Sequence, residues 1–180
     1  MFAVHIDNII MISSFFAEND LFKSQLRQHW EISNLGNVKY ALSIGFTRDH
    51  SSHAIALSQT VLIDCVMEQF GQLDAHLVDT PMVPGMQITC PDKTIPISKI
   101  VDLWIQCTPY QSLVRTLNYL TVATHPDIAF AVEHLASVLD CYRPEHWDVA
   151  IRVVHYLKRT RLYNLTLDKA NAIHPLSFAC

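Results

Sequence analysis

Val4-His5-Ile6-Asp7-Asn8-Ile9-Ile10 places an acidic tip between two apolar runs near the first residue of the chain. The flanking residues are rich in β-branched side chains, and the polar residues between them favour a tight turn. This pattern predicts a β-hairpin with the Asp7 carboxylate standing clear of the strands. Two roles fit that carboxylate: an ordinary turn residue, since Asp and Asn are common in turns, or a ligand for a divalent cation.

The chain after the hairpin alternates between helical and extended patterns. A helix is predicted from near Ala17, with an apolar side at helical spacing formed by Phe22, Leu26 and Trp30. Residues 40–48 and 54–58 are predicted as two strands around a polar turn. Ser58 is expected to cap a following helix, whose apolar side consists of Leu62, Val66 and Phe70.

The second half of the chain combines a proline-rich stretch with helical patterns. Residues 79–109 contain five prolines and are predicted as an irregular linker. Three amphipathic helices are predicted after it, each beginning at a proline, over residues 109–122, 126–139 and 144–159. Their apolar stripes indicate packing against one another, with Trp147 as an anchor.

A series of short segments carries a resemblance to a known family. The segment Lys39-Tyr40-Ala41-Leu42-Ser43-Ile44 is similar to a Lys-Tyr-Phe-Leu-Gly-Ile motif, and His5-Ile6-Asp7-Asn8 to a Tyr-Val-Asp-Asp hairpin. Similar motifs, in matching order and spacing, occur at residues 30–36, 55–59, 78–81, 109–114, 117–120, 124–132, 146–147, 156–160 and 163–166. In this order the segments resemble the reverse transcriptase region of copia-type long-terminal-repeat retrotransposon polyproteins.

The resemblance implies an α+β fold and an order of regions. A partial palm, made of the β-hairpin, a helix and short strands, would precede a mostly helical thumb and connection. The expected regions are 1–58 for the palm with the active-site hairpin, 59–78 for the start of the thumb helices, 79–108 for the proline-rich linker, 109–161 for the helical thumb and connection, and 162–180 for a strand and the truncated start of a ribonuclease H region.

The family's activity is RNA-directed DNA synthesis, with Mg²⁺ or Mn²⁺ as cofactor and an RNA/DNA template-primer as partner. By resemblance Asp7 is the catalytic and metal-binding residue, and Leu42, Ser43 and Ile44 position the primer. Asn8 replaces the second aspartate of the hairpin motif, and the family's fingers, first metal-binding aspartate and most of its palm lie upstream of it. The expectation is therefore a fragment truncated at both ends and inactive by itself.

Two further departures from the family pattern replace glycine. Ser43 stands for the glycine of the Leu-Gly-Ile segment, and Arg115 for the glycine expected after Val114. Glycine is used where the backbone approaches closely or takes unusual dihedral angles, so these replacements suggest relaxed geometry.

The distribution of charge supports an alternative function. A net charge of −4 leaves no basic footprint over the whole chain, but cations gather near the end of the last predicted helix, at Arg152, Lys158, Arg159 and Arg161. These residues either approach a nucleic-acid backbone or form a solvated helix end that complements the helix dipole. The first interpretation corresponds to a retroelement-derived, non-catalytic binding module for nucleic acid or for protein, including other segments of such a polyprotein.

The cysteines and the hydropathy suggest the compartment. Five widely spaced cysteines show no metal-site spacing and are expected to be buried or free thiols of a reducing compartment. His50 and His53 are close in sequence but lack the further ligands of a zinc site. No stretch reaches the roughly 20 apolar residues of a membrane span, and the apolar start lacks the basic residues of a signal peptide. We expect an intracellular protein, in the cytoplasm or nucleus.

Overall fold

Mixed helix and strand elements make up the chain, as expected from the sequence. The computed structural model describes residues 2–6, 8–13, 16–91 and 98–168, and these contain six α-helices and two antiparallel sheets. The chain divides into two units, Met1–Lys39 and Tyr40–Cys180. The α+β class is confirmed. The expected start of a ribonuclease H region at residues 175–180 lies outside the described residues.

Unit 1 consists of the predicted hairpin and one helix. Strands β1 (Phe2–His5) and β2 (Asn8–Met11) pair antiparallel, with His5 opposite Asn8. Helix α1 spans Phe16–Arg27, and the rings of Phe2 and Phe22 stack with their centroids 5.4 Å apart. Trp30 was predicted on the apolar side of this helix, but it follows the helix and is 63 % exposed. The helix ends earlier because Gln28 and His29 already turn back onto Gln25 and Leu26.

Unit 2 begins with a four-stranded antiparallel sheet in the order β3-β4-β5-β6. Its strands are β3 (Tyr40–Ala41), β4 (Ile44–Asp49), β5 (Ala54–Ser58) and β6 (Leu165–Leu167). The single strand predicted over residues 40–48 is wrong, because the chain reverses at Leu42 and Ser43, whose φ angles are 54° and 59°. Two successive left-handed residues cannot continue a strand.

Five helices of unit 2 follow the strands β3 to β5. They are α2 (Thr60–Gln69), α3 (Lys99–Cys107), α4 (Tyr110–Ala123), α5 (Ala129–Ser137) and α6 (Pro144–Thr160). A single 3₁₀ turn, Pro126–Ile128, leads into α5. Ser58 was expected to cap α2, but it is the last residue of β5, and the residue before the helix, Gln59, makes no side-chain capping bond.

Helix α3 lies inside the stretch that was predicted as an irregular linker. Ser98 caps it by accepting a hydrogen bond from the Val101 amide at 3.3 Å. Apolar residues at helical spacing follow, and Trp104 and Ile105 pack against the core. The linker prediction is wrong for Lys99–Cys107, where the prolines before residue 97 outweighed this short but complete helix signal, whereas residues 79–91 are irregular as predicted.

Helices α2, α4, α5 and α6 enclose the core of unit 2. The side chains that they bury include Ile63, Val66, Leu113, Leu117, Leu120, Val132, Leu135, Val153, Val154 and Leu157. The predicted mutual packing of the apolar stripes is confirmed. Trp147 is only partly buried, with its ring edge on Phe70 at a centroid distance of 5.9 Å. Fully burying such aliphatic side chains contributes about 1.5–3 kcal/mol each.

A disulfide between Cys90 and Cys141 joins the loop after α2 to the connection between α5 and α6, with the Cα atoms 5.8 Å apart. The expectation of buried or free thiols is therefore wrong for this pair, while Cys65 and Cys107 are free and exposed. The pairing follows from tertiary packing, because Met82 and Ile88 of the loop are buried in the core and carry Cys90 to the helices.

Among the described residues, no helix combines the length and the apolar character needed to cross a bilayer.

Reducing the disulfide, or replacing Cys90 with Ser, is expected to lower the free energy of unfolding by about 2–4 kcal/mol. The bond closes a long loop and thereby restricts the unfolded chain. Urea unfolding of the oxidised and reduced protein measures the effect, and Cys65→Ser is the matched control. Equal stability of the oxidised and reduced forms would contradict the expectation.

Candidate nucleic-acid interface

The turn between β3 and β4 contains two of the predicted primer-positioning residues. Ala41 pairs with Ile44, so Leu42 and Ser43 form a two-residue hairpin loop, and both have positive φ angles. Loops of this kind usually contain Asn and Gly, because a left-handed residue with a Cβ costs about 1–2 kcal/mol. The structure therefore places strain at Leu42 and Ser43, with Leu42 44 % exposed at the surface.

One hydrogen bond and the pairing of the flanking strands β3 and β4 hold this strained turn. The hydroxyl of Tyr119, on α4, donates a hydrogen bond to the carbonyl oxygen of Leu42. Next to the turn, a Cβ added to Gly45 would lie 2.9 Å from the Oγ of Ser58, so β4 and β5 approach closely at this point. The turn is therefore positioned from one side by a helix and from the other by the sheet.

Asp7, the predicted catalytic and metal-binding residue, lies outside the described residues. Its neighbour Asn8 is exposed at the start of β2. Within the described part of the chain, no group of three or more His, Cys, Asp or Glu side chains could hold a metal ion. The described residues thus do not form a fitting site for Mg²⁺ or Mn²⁺.

The four predicted cations, three on α6 and Arg161 directly after it, all make contacts with residues 64–80. Lys158 Nζ donates to the carbonyl oxygens of Leu73 and Ala75, at 2.5 and 2.8 Å. The other three contacts pair Arg152 Nη2 with Thr80 Oγ1 at 3.0 Å, Arg159 Nη1 with Asp79 Oδ1 at 2.8 Å, and Arg161 Nη1 with Asp64 Oδ1 at 3.3 Å. These contacts hold the chain that leaves α2 against the side of α6.

The histidine on this part of α6, His155, does not add to its positive charge. His155 Nε2 lies 2.8 Å from Gln72 Oε1, and its ring meets that of His76 at a centroid distance of 4.8 Å. Burial, together with His76 and Lys158, lowers the pKa of His155 below its usual value of 6.5. His155 is therefore neutral at pH 7 and adds no charge to this helix end.

A polar network surrounds the segment Thr124-His125-Pro126-Asp127, which was recognised only by resemblance. Thr124 Oγ1 donates to Gln59 Oε1 at 2.7 Å, and Tyr156 donates its hydroxyl proton to Asp127 Oδ2 at 2.7 Å. Burial alone would raise the pKa of Asp127, but the hydrogen bonds from His125 and Tyr156 outweigh it and hold that pKa below its usual value. The network connects the start of α2 to the end of α4, and the 3₁₀ turn to α6.

Sequence reasoning missed the residues that fix the turn. Tyr119 belongs to a helix 77 residues after Leu42, and its position on α4 gives no sign of that partner. Ser58 was interpreted as a helix cap rather than as the close neighbour of Gly45. One sequence signal for the turn did exist. The family motif has glycine at the position of Ser43, and a glycine there indicates an unusual backbone angle.

Most of the chain is similar to retrotransposon polyproteins and to a mitochondrial protein. It is 26 % identical over 160 residues to the retrovirus-related Pol polyprotein from transposon TNT 1-94 of Nicotiana tabacum, which covers 87 % of this chain and 12 % of that polyprotein. It is 27 % identical over 173 residues to the Pol polyprotein from transposon RE2 of Arabidopsis thaliana, covering 94 % of this chain and 11 % of the other. An uncharacterized mitochondrial protein of Arabidopsis thaliana is 26 % identical over 175 residues, which make up 97 % of this chain and 68 % of that protein.

The chain therefore spans only a small part of the two polyproteins' length. No family model and no solved structure matches it.

Replacing Ser43 with Gly is expected to raise the free energy of unfolding by about 1 kcal/mol, because glycine adopts the left-handed angle without a Cβ penalty. Thermal or urea unfolding measures the change. The control is Ser112→Gly on the exposed side of α4, where the same replacement should lower stability by about 0.5–1 kcal/mol. Destabilisation by Ser43→Gly would show that the turn is not strained.

Replacing Lys158 with Met is expected to lower the free energy of unfolding by about 1–2 kcal/mol, because two backbone carbonyls lose their charged donor. Arg159→Met should cost less than about 1 kcal/mol, since its pair with Asp79 is largely exposed to water. Denaturant unfolding of both variants tests this order. Equal losses would mean that the Lys158 contacts add nothing beyond ordinary surface pairing.

Proposed function

Because this chain is homologous over most of its length to Pol polyproteins of copia-type transposons, we propose that it derives from their reverse transcriptase region. Its role in the proposal is to contact an RNA/DNA template-primer, without synthesising DNA by itself. The Leu42-Ser43 turn carries the proposal. By resemblance it corresponds to the family's primer-positioning segment, and it combines strain, exposure and support from α4 and the sheet.

Strain at a turn is informative because folded proteins rarely retain it without a reason. Two left-handed residues with side chains persist only where the surrounding structure determines their conformation, and such positions cluster at binding sites. Here the hydrogen bond from Tyr119 and the pairing of β3 with β4 on either side of the turn provide that determination. The turn presents the Leu42 side chain at a fixed place on the surface.

The proposed lack of synthesis follows from the ligands of the hairpin in unit 1. Nucleotidyl transfer commonly uses two divalent cations about 3.5–4 Å apart, held by carboxylates from more than one part of a fold. Asp7 offers one carboxylate, and the adjacent Asn8 offers only a neutral amide. Productive binding of Mg²⁺ or Mn²⁺ would need at least one further carboxylate beside that of Asp7.

The turn is a better candidate for the nucleic-acid contact than the cations of α6. Arg152, Lys158, Arg159 and Arg161 each have a partner within unit 2. A phosphate group would have to replace those partners, and the net gain from each exchanged contact would be small.

Binding of a fluorescein-labelled DNA primer annealed to an RNA template tests the proposal. We expect a salt-dependent dissociation constant of about 10⁻⁶–10⁻⁴ M, in the range of weak nucleic-acid contacts. Ser43→Pro should weaken binding, because proline cannot adopt a positive φ angle. Ser51→Pro, in the turn at the other end of β4, is the control. Equal effects of both variants, or no binding by the unaltered chain, would refute the proposed contact.

Primer extension with Mg²⁺ or Mn²⁺ tests the proposed lack of synthesis. We expect no nucleotide incorporation above a reaction without protein. Incorporation that disappears in Asp7→Ala would show that a second copy completes the metal site, and the chain would then be an active polymerase.

A further inference from the structure

Helix α4 presents a cation and an aromatic ring beside the strained turn. It buries Leu113, Leu117 and Leu120 and leaves Arg115 and Tyr119 exposed. Residues four apart on a helix lie on the same side, with their Cβ atoms about 5–6 Å from each other. Because Tyr119 reaches the Leu42 carbonyl, Arg115 lies one helical turn from the point where α4 meets the turn.

Arg115 differs from the cations of α6 in having no competing partner. Among the described residues, its guanidinium makes no ion pair and no side-chain hydrogen bond, and its side chain is exposed. Within the described part of the chain, no side chain competes with a ligand for the five N–H donors of the group. An exposed arginine is common on any protein, so its place beside a fixed aromatic ring is the informative observation.

The chemistry of the two side chains suits a nucleic acid. A guanidinium binds a phosphate through two parallel hydrogen bonds, which a lysine cannot reproduce. An aromatic ring offers a stacking surface for a base, and stacking does not depend on base identity. Tyr119 is 39 % exposed, and the bond from its hydroxyl to Leu42 fixes the ring's orientation.

We propose that Arg115 binds a backbone phosphate, and that Tyr119 positions the Leu42-Ser43 turn and offers its ring to a base, at one site for the primer strand. This site rests on the proposed function and extends it from the turn to α4. The family motif has glycine where Arg115 stands, so the phosphate contact is a property of this chain rather than of the motif. The two side chains have separable effects, because one carries charge and the other orients the turn.

The experiment measures fluorescence anisotropy of the labelled primer-template over a series of salt concentrations. Arg115→Gln is expected to weaken binding about five-fold at low salt and to reduce the salt slope by about one, the effect of one lost phosphate contact. Arg48→Gln, the same replacement at an exposed arginine near the far end of β4, should leave the slope nearly unchanged. Circular dichroism before each titration confirms that the variants are folded.

The variant Tyr119→Phe tests whether Tyr119 positions the Leu42-Ser43 turn for binding or only stabilises the fold. It keeps the ring but removes the hydroxyl that holds the Leu42 carbonyl, so we expect weaker binding with an unchanged salt slope and a melting temperature lowered by only about 2–4 °C, the cost of one hydrogen bond. Faster hydrogen exchange at the amide of Ile44 would report the released turn. A melting temperature that falls beyond this range, in parallel with the affinity, would show that Tyr119 has only a structural role.

The outcomes distinguish this inference from the function on which it rests. If the unaltered chain does not bind, both are wrong. If it binds and Ser43→Pro weakens binding but Arg115→Gln does not, the turn contact stands and the site on α4 is refuted. If Arg115→Gln and Arg48→Gln reduce the affinity and the salt slope equally, binding follows total charge, and the site is again refuted.

Displacement of the primer-template by an acidic peptide such as hexaglutamate, at equal charge concentration, would show an unspecific anion site and overturn the assignment to nucleic acid.

Discussion

The stacked pair of Tyr110 and Tyr142 is the interaction on which the helical core depends. Their ring centroids lie 4.4 Å apart with an interplanar angle of 11°, and Tyr110 is completely buried. The Tyr110 hydroxyl donates to the Leu135 carbonyl at 2.9 Å, while that of Tyr142 donates to Ile105 at 2.6 Å. The pair thus joins α4 to α5 and the start of α6 to α3. Burial raises the pKa of both phenols, so the hydroxyls remain protonated donors.

The position of the candidate site follows from this core. Burying one side of α4 against α5 and α6 fixes which residues of the helix face outward, and Tyr119 is among them. The turn at Leu42 and Ser43 is then held by a rigid helix rather than by another loop. A binding element supported in this way keeps its geometry without a ligand, which reduces the ordering cost of binding.

The sequence predicted the elements whose signals are local and missed those that depend on distant partners. The helices around Leu117, Val132 and Val154 were recognised because their apolar residues recur at helical spacing. Helix α3 was missed because nearby prolines dominated the pattern. The Leu42-Ser43 turn was missed because neither residue is glycine or asparagine, the usual sign of left-handed backbone.

The candidate site shows the same limit. Family resemblance singled out Leu42, Ser43 and Ile44, but Tyr119 enters the site only through tertiary packing. The α6 cations were visible in the sequence, yet their partners lie 72 to 85 residues away from Arg152 and Lys158. Charge clustering in a sequence does not reveal whether the charges are already paired. The cluster on α6 therefore indicated a nucleic-acid site, whereas Arg115, a single cation, did not.

The late position of β6 in the chain affects the order in which the sheet forms. It pairs with β5 through Leu165 and Leu57, although all five helices of unit 2 lie between the two strands in the chain. During synthesis the outer edge of β5 stays open, with free amides and carbonyls, until the helices have left the ribosome. Open edges attract other strands, so the nascent chain passes through a period in which β5 is exposed to mispairing. Rapid collapse of the local helical contacts around Tyr110 shortens the time before β6 can close that edge.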